Sequence, residues 1–480
     1  MIRIPHKILV LATLAGSAVS LQVLAAENLQ ASSSQSLKAG AANYDLIDVY
    51  KLAIQNDAQL AAAKAGAKAT EEQAPQARAQ LLPNLSLTAN TQYNKQTTGL
   101  EQQANNKKNF NSYDWGATLT QPLFNLNSWF SYGQAKAFSS QAKYQFAYQQ
   151  QNLILRVSEA YFNVLRAEDS LVTAKAEEKA VKQQLDQATE RYNVGLVAET
   201  DVLEARAVYD NARVIRILAE NKVSVSHEQL RVITNQAIEH IGKLKKSMPV
   251  VAPIPAVAND WVQKAVVNNL SLKAAKEGVQ AAEENIKAKK SGHAPTVDAF
   301  ASYTYNSTDL TKGSQVPNTD NFYTGKGDQT VFGLNLTVPI FSGGATSSQV
   351  REATYKMEQS QENFDKLLRE TNSNTRSYFL TANSDVDRVK AQKQGIISAE
   401  SALKATISGY QVGTRNITDV LDAQQKLYAS QRDYLNARYD FIINTLKLKQ
   451  SAGTLSPSDI QDLNKWITFK KGESISSGIK

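Results

Sequence analysis

YNVGLVAETDVL, residues 192–203, and YQVGTRNITDVL, residues 410–421, are one segment present twice: seven of the twelve positions are identical, and Gly195 of the first answers to Gly413 of the second. Other pairs keep step with it. Tyr161-Phe162 recurs as Tyr378-Phe379, Pro122 of LTQPLF as Pro339 of LTVPIF, and Pro83 of LLPNLSL as Pro295 of HAPTVDA, all at nearly the same separation. Unrelated coincidences would not hold one order and nearly one offset, so the chain is a tandem duplication. The halves are assigned to 44–241 and 260–452, joined by a Pro- and Lys-rich linker at 242–259 and followed by a tail at 453–480.

The repeated segment reads as a turn between two long helices. Glycine accepts positive φ at a helix end, which places the turns at Gly195 and Gly413. Thr200 and Asp201, and likewise Thr418 and Asp419, open the returning helices, where a carboxylate suits the positive end of the helix dipole. No proline falls between Leu123 and Met248 or between Ile340 and Ser456, so helices are expected over 127–194, 198–241, 345–412 and 416–451. An unbroken run of about 60 residues reaches about 90 Å. Ile154, Val157, Tyr161, Val164, Leu171, Val181, Leu185, Ala188 and Tyr192 recur in steps of three, four or their multiples, an apolar stripe for helix-on-helix packing.

Ahead of the long helices each half carries a helical segment (44–82, 260–292) and then two alternating segments, at 84–93 and 114–122 and at 296–305 and 330–339. Leu85, Leu87 and Ala89 oppose Ser86, Thr88 and Asn90; Trp115, Ala117 and Leu119 alternate with Gly116, Thr118 and Thr120. Val297, Ala299, Ala301, Tyr303 and Tyr305, and Phe332, Leu334, Leu336 and Val338, repeat the pattern. Period two puts these sets on opposite sheet faces. A half-buried sheet of a soluble domain alternates in the same way, but windows 81–132 and 293–341 hold 15 of the 37 aromatic residues, as the girdles of a membrane barrel would. The strands are expected to be joined by long polar loops at 94–112 and 306–329. Four strands cannot close a barrel, and lipid tolerates no open sheet edge. Two chains would give an eight-stranded barrel filled by side chains and three would give twelve strands, so a duct calls for three chains or more. The expected fold is an α+β, mainly α membrane protein in which a transmembrane β-barrel continues into a helical coiled-coil barrel.

The bulk numbers agree with export. Arg3, His6 and Lys7 precede an apolar run from Ile8 to Val19 and the small residues Ala25 and Ala26, the form of a secretory signal peptide at 1–26; a polar stretch, 27–43, reads as disordered. No later window is apolar enough for a transmembrane helix. There is no cysteine, hence no disulfide and no thiolate metal site. The formal charge is +8, but the basic residues are dispersed, which speaks against nucleic acid as a partner. Histidines 6, 227, 240 and 293 make no metal-binding pattern, and no cofactor loop or nucleophile elbow is present, so an enzyme is disfavoured and no cofactor is expected. Asp419 and Asp422, three apart on a helix, suit either a solvated face or a functional acidic pair. A soluble periplasmic adaptor with a helical hairpin is the alternative; two duplicated hairpins with aromatic-rich strands argue against it.

GYQVGTRNITDVLDAQQKLY at 409–428, RYNVGLVAETDVLEARAVYD at 191–210, AYFNVL at 160–165 and VPIFSGG at 338–344 closely resemble the TolC family of outer-membrane export ducts, over about residues 44–455. The resemblance implies a homotrimer in outer-membrane lipid that reaches into the periplasm of a Gram-negative cell. It implies short equatorial elements in the linker and tail, a periplasmic adaptor, and an inner-membrane pump of RND, ABC or MFS type. It places a closed periplasmic entrance at Tyr410 and Arg415, latched to Thr200 and Asp201 of the neighbouring helix pair, and an acidic constriction at Asp419 and Asp422. The implied work is passive efflux of small molecules and type I secretion of proteins.

Overall fold

The computed structural model describes residues 43–100, 103–310 and 325–469, the side chains of 96–109 and 309–310 apart. The expected leader, nearly all of the polar stretch and residues 470–480 of the tail lie outside them. Each half runs from short helices through a strand hairpin to a pair of long helices. The first holds α1 (Leu46–Asn56), α2 (Ala58–Glu71), α3 (Gln73–Ala79), β1 (Asn84–Leu100), β2 (Gln103–Phe124), α4 (Leu126–Asn193) and α5 (Glu199–Thr234). After β3 (Lys243–Leu244) in the linker, the second holds α6 (Ala258–Asn268), α7 (Leu270–Lys290), β4 (Thr296–Leu310), β5 (Gly325–Thr337), α8 (Ala345–Gln411) and α9 (Ile417–Ser451). The tail adds α10 (Pro457–Asn464) and β6 (Ile467–Thr468).

α4 and α8, at 68 and 67 residues, are nearly twice as long as α5 and α9, at 36 and 35. Each therefore needs a second partner for its remaining length. α4 packs on α5 over one half and on α7 and α2 over the half nearer the sheet; α8 packs on α9 and then on α6 and α7. Of the expected stripe, Ile154, Val157, Tyr161, Val164, Val181 and Ala188 are buried, while Tyr192 at the turn is exposed.

Four expectations are corrected. The segment 44–82 is three helices, broken at Asp57, which accepts from the Leu60 N–H as the cap of α2. Both Asp57 oxygens are held by the Arg156 guanidinium, at 3.0 and 2.6 Å. Burial alone would raise this carboxyl; Arg156 and the Leu60 amide outweigh it and hold it below the ordinary carboxylate range. The segment 260–292 breaks in the same manner at Asn269, whose side chain caps Ser271 and Leu272. The helix expected over 198–241 stops at Thr234, because Asn235 takes the left-handed conformation (φ 53°) that ends helices. The polar stretches 94–112 and 306–329 are not loops throughout: β1 and β2 stay in register from Asn84↔Thr120 to Thr98↔Asn106, and β4 and β5 to Thr308↔Gly325. About ten tilted residues cross a bilayer, so strands of 13 to 22 residues continue as polar hairpin arms beyond it.

The sheet is antiparallel throughout, in the order β1-β2-β4-β5. β2 pairs with β4, so the two halves share one sheet, and β1 and β5 are left as edges. Cross-strand rows give each face a prevailing chemistry, with Thr330 on the apolar face and Phe300 and Val331 on the polar one as exceptions. Leu85, Leu119, Ala301 and Phe332 make one row and Leu87, Ala117 and Tyr303 a second on the same face; Ser86, Thr118 and Ser302 fall on the other. Leu85, Leu87, Phe332, Leu334 and Leu336 are exposed on that apolar face. No described helix is long and apolar enough to cross a membrane.

The main core lies at mid-length of the long helices. Tyr161, Phe162, Val164 and Leu165 of α4 meet Leu230 of α5, Tyr439, Ile442 and Leu446 of α9, and Leu46 and Val49 of α1. Two tyrosines enter it because their hydroxyls find acceptors: Tyr161 donates to the Gly242 carbonyl (2.7 Å) and Tyr439 to Asp169 (2.6 Å). Around this core runs a belt. β3 pairs with β6, Tyr44 bridges to Ile241, and Asn464 at the end of α10 binds Asp45 and the Leu46 amide at the start of α1. Arg438, 2% exposed on α9, straps the linker down by donating to the carbonyls of Lys245, Lys246 and Met248. Truncating it strands these carbonyls, so Arg438→Ala is expected to cost about 2–4 kcal/mol, read as a lower denaturant midpoint of the detergent-solubilised protein; Arg438→Lys should recover part of the loss.

Candidate functional site

The two ends of the repeated segment fold alike. α4 closes with the Gly195 N–H on the Tyr192 carbonyl (2.9 Å) and the Leu196 N–H on the Arg191 carbonyl (2.8 Å). α8 closes with Gly413 on Tyr410 (3.2 Å) and Thr414 on Gly409 (2.9 Å). These paired bonds form a Schellman motif, which requires a left-handed residue: Gly195 has φ +76° and Gly413 φ +80°. The returning helices start differently. α5 has no side-chain cap and relies on Glu199 and Asp201 in its first turn. α9 has a full capping box: Asn416 accepts from the Asp419 N–H (2.8 Å), and Asp419 accepts from the Asn416 N–H (3.4 Å).

Asp419 also takes an ion pair from Arg415 (3.6 Å), whose aliphatic stem folds over Gly409; a Cβ at position 409 would sit 2.8 Å from the Arg415 Cγ. Asp422 is exposed one turn further along α9, and no described group pairs with it. The two hairpins meet in a small apolar cluster of Val181, Ala188, Ala205, Ile417 and Leu421, flanked by Val202 and Tyr410. The Arg191 guanidinium lies 4.8 Å from the centre of the Tyr410 ring, a cation–π contact between the hairpins. The Thr418 hydroxyl donates to Glu204, a second link between α9 and α5. The Tyr410 hydroxyl is buried and has no partner among the described residues.

Of the expected site residues, Gly195, Gly413, Tyr410, Arg415, Asp419 and Asp422 all gather at one end of the molecule. Thr200 and Asp201 sit at the same end, but no hydrogen bond or ion pair joins them to Tyr410 or Arg415 within the chain. Arg191 and Glu204 were missed. Arg191 stands in the quoted RYNVG run, and a cation four residues before the turn glycine was the available signal; nothing local marks Glu204 apart from other exposed helix acids. No cluster of described residues could hold a metal ion.

A sheet with one apolar exposed face, set on two pairs of long helices, is the build of an outer-membrane channel. The chain belongs to the outer membrane efflux protein family, which matches it twice, over 49–236 and 261–454. It is 36% identical over 429 residues to the outer membrane protein TolC of Vibrio cholerae, covering 89% of this chain and 94% of that one. It is 29% identical over 440 residues to the protease secretion protein PrtF of Dickeya chrysanthemi, covering 90% and 93%. Its fold matches the CmeC outer membrane channel of Campylobacter jejuni with a TM-score of 0.74 at 17% identity, covering 88% of this chain and 90% of that one. The protein is an outer-membrane channel of efflux and type I secretion, not an enzyme.

A Cβ at Gly413 would meet no atom within 4 Å, so substitution there tests backbone conformation alone. Gly413→Ala is expected to cost about 1 kcal/mol locally, seen as faster amide hydrogen exchange around the turn with the rest of the molecule unchanged.

Proposed function

We propose that three copies of the chain close a twelve-stranded barrel in the outer membrane, over a helical tunnel whose periplasmic end is a gate made of the hairpin tips. The observation that carries this reading is the pair of unpaired edges, β1 and β5, on a sheet whose exposed face is apolar. In lipid each bare backbone group costs several kcal/mol, so edges must join edges. Going round such a ring, β5 of one copy would meet β1 of the next in antiparallel sense.

The gate reading starts from the orphaned Tyr410 hydroxyl. A buried donor without a partner is costly, and a neighbouring protomer can supply one. Thr200 and Asp201 are the proposed acceptors for Tyr410 and Arg415 across that interface. Exposed links of this kind contribute up to about 1 kcal/mol each, but threefold repetition sums them to a latch of several. Arg191 beneath Tyr410 and Glu204 beside Thr418 hold the two hairpins of one protomer together and keep the latch residues in place. A periplasmic adaptor that binds the splayed tips better than the closed ones would shift the population to open. Energy then comes from an inner-membrane pump of the RND, ABC or MFS kind, and the channel does no chemistry. Similarity to a protease secretion protein supports polypeptide as well as small-molecule cargo.

Asp419 and Asp422 of three chains would place six carboxylates about one neck and focus a cation-attracting field there. In planar bilayers, the Arg415→Ser, Tyr410→Phe double variant is expected to conduct severalfold better than the parent; parental conductance removes the latch. Asp419→Ala with Asp422→Ala should abolish block by multivalent cations added on the helical side, and retained block removes the acidic ring.

A further inference from the structure

Two apolar clusters hold α4 against α9: the mid-length core, with Leu165, Leu435 and Tyr439, and the tip cluster, with Val181, Ala188, Ile417 and Leu421. The seam between them is polar. On α4 it holds Glu177, which is 5% exposed and receives no hydrogen bond or ion pair. On α9 it holds Gln424 and Gln431, 7% and 8% exposed, with Tyr428 between them on the same helix face. The Oε1 atoms of both glutamines are buried and have no donor. Two buried amide oxygens without a donor, and a carboxyl without a hydrogen bond, between two well-packed clusters are not placed there for stability.

We propose that this seam is a proton-sensitive joint between the two helix pairs: it closes around a neutral Glu177 carboxyl and loosens when that carboxyl ionises, so that rising pH favours parting of α9 from α4. The proposal rests on the reading of the hairpin end as a gate. A neutral carboxyl can stay in a packed seam that gives it no hydrogen bond; a carboxylate there is a charge that exposure to water relieves. Burial pushes the Glu177 carboxyl up, with Arg432 of α9 opposing; burial first, and the Glu177 charge second, raise Tyr428. The nearby charges of α5 are committed elsewhere: Arg216 to Glu178 (2.8 Å) and Glu220 to Lys175 (3.5 Å). From α8, Glu400 and Lys404 line a groove with Tyr428 and Gln431 and add opposite charges there.

The sign follows from linkage. A carboxyl with a raised pKa in the packed state binds its proton more tightly there. Packing is therefore undiminished below the ordinary carboxylate range and weakens as pH rises through the raised value, where it levels off. Each unit of the shift favours the parted seam about tenfold per protomer.

The test uses the intact protein, whose lack of cysteine allows clean labelling. Spin labels at the exposed Lys222 of α5 and Lys426 of α9 report the separation of the helix pairs, and planar bilayers report conductance, both between about pH 5 and about pH 8. In the parent, the label distance should lengthen and the open probability rise severalfold with pH. Glu177→Gln, which cannot ionise, and Glu177→Met, which removes the polar group, should both flatten the two responses. A parental distance that ignores pH, or one that responds equally in both variants, overturns the joint. A distance change confined to the parent, with conductance flat, upholds the joint and overturns the gate reading on which its function rests.

Discussion

A backbone amide with no partner cannot stay in hydrocarbon, and this governs the molecule from one end to the other. One chain makes a four-stranded sheet with two bare edges and an apolar face that water would not tolerate. Such a sheet is incomplete until copies of itself supply the missing strands. The pairing of β2 with β4 shows the same demand met inside the chain: the strand hairpins of the two halves are fused into one sheet, so that each copy carries two edges rather than four.

Below the sheet the constraint changes from pairing backbones to burying side chains along helices much longer than a usual core. The chain solves this in sections. A large apolar core sits at mid-length, strapped by the belt that Arg438, β3 and β6 hold in place. A small apolar cluster sits at the tips, and the polar seam of Glu177, Gln424 and Gln431 separates them. Stability is thus concentrated at the middle. The ends are left with ion pairs, a cation–π contact and a bare tyrosine hydroxyl, interactions weak enough to be exchanged for those of a partner.

Much of this was legible in the chain. A nearly constant offset between matched segments revealed the duplication, and the turn glycines were visible because no other residue serves their conformation so cheaply. The breaks at Asp57 and Asn269 were not, although they too stand at matching places in the two halves: an Asx cap inside an apolar-periodic stretch leaves the periodicity almost undisturbed. The polar arms of the hairpins were not legible either, since strands that leave the membrane lose the alternation by which strands are recognised. Arg191 on Tyr410 and Glu204 on Thr418 join residues from opposite halves of the chain, and no local pattern announces such a contact.

The sequence by itself determined the repeat, the two helix pairs with their turns, and the apolar and polar faces of the strands, because each follows from spacing along the chain. Only the tertiary structure decided which strands share a sheet, where each long helix changes partner, and which side chains are left unpaired inside. Those depend on packing between segments far apart in the chain, and packing acts on distance in space, to which the order of residues is blind.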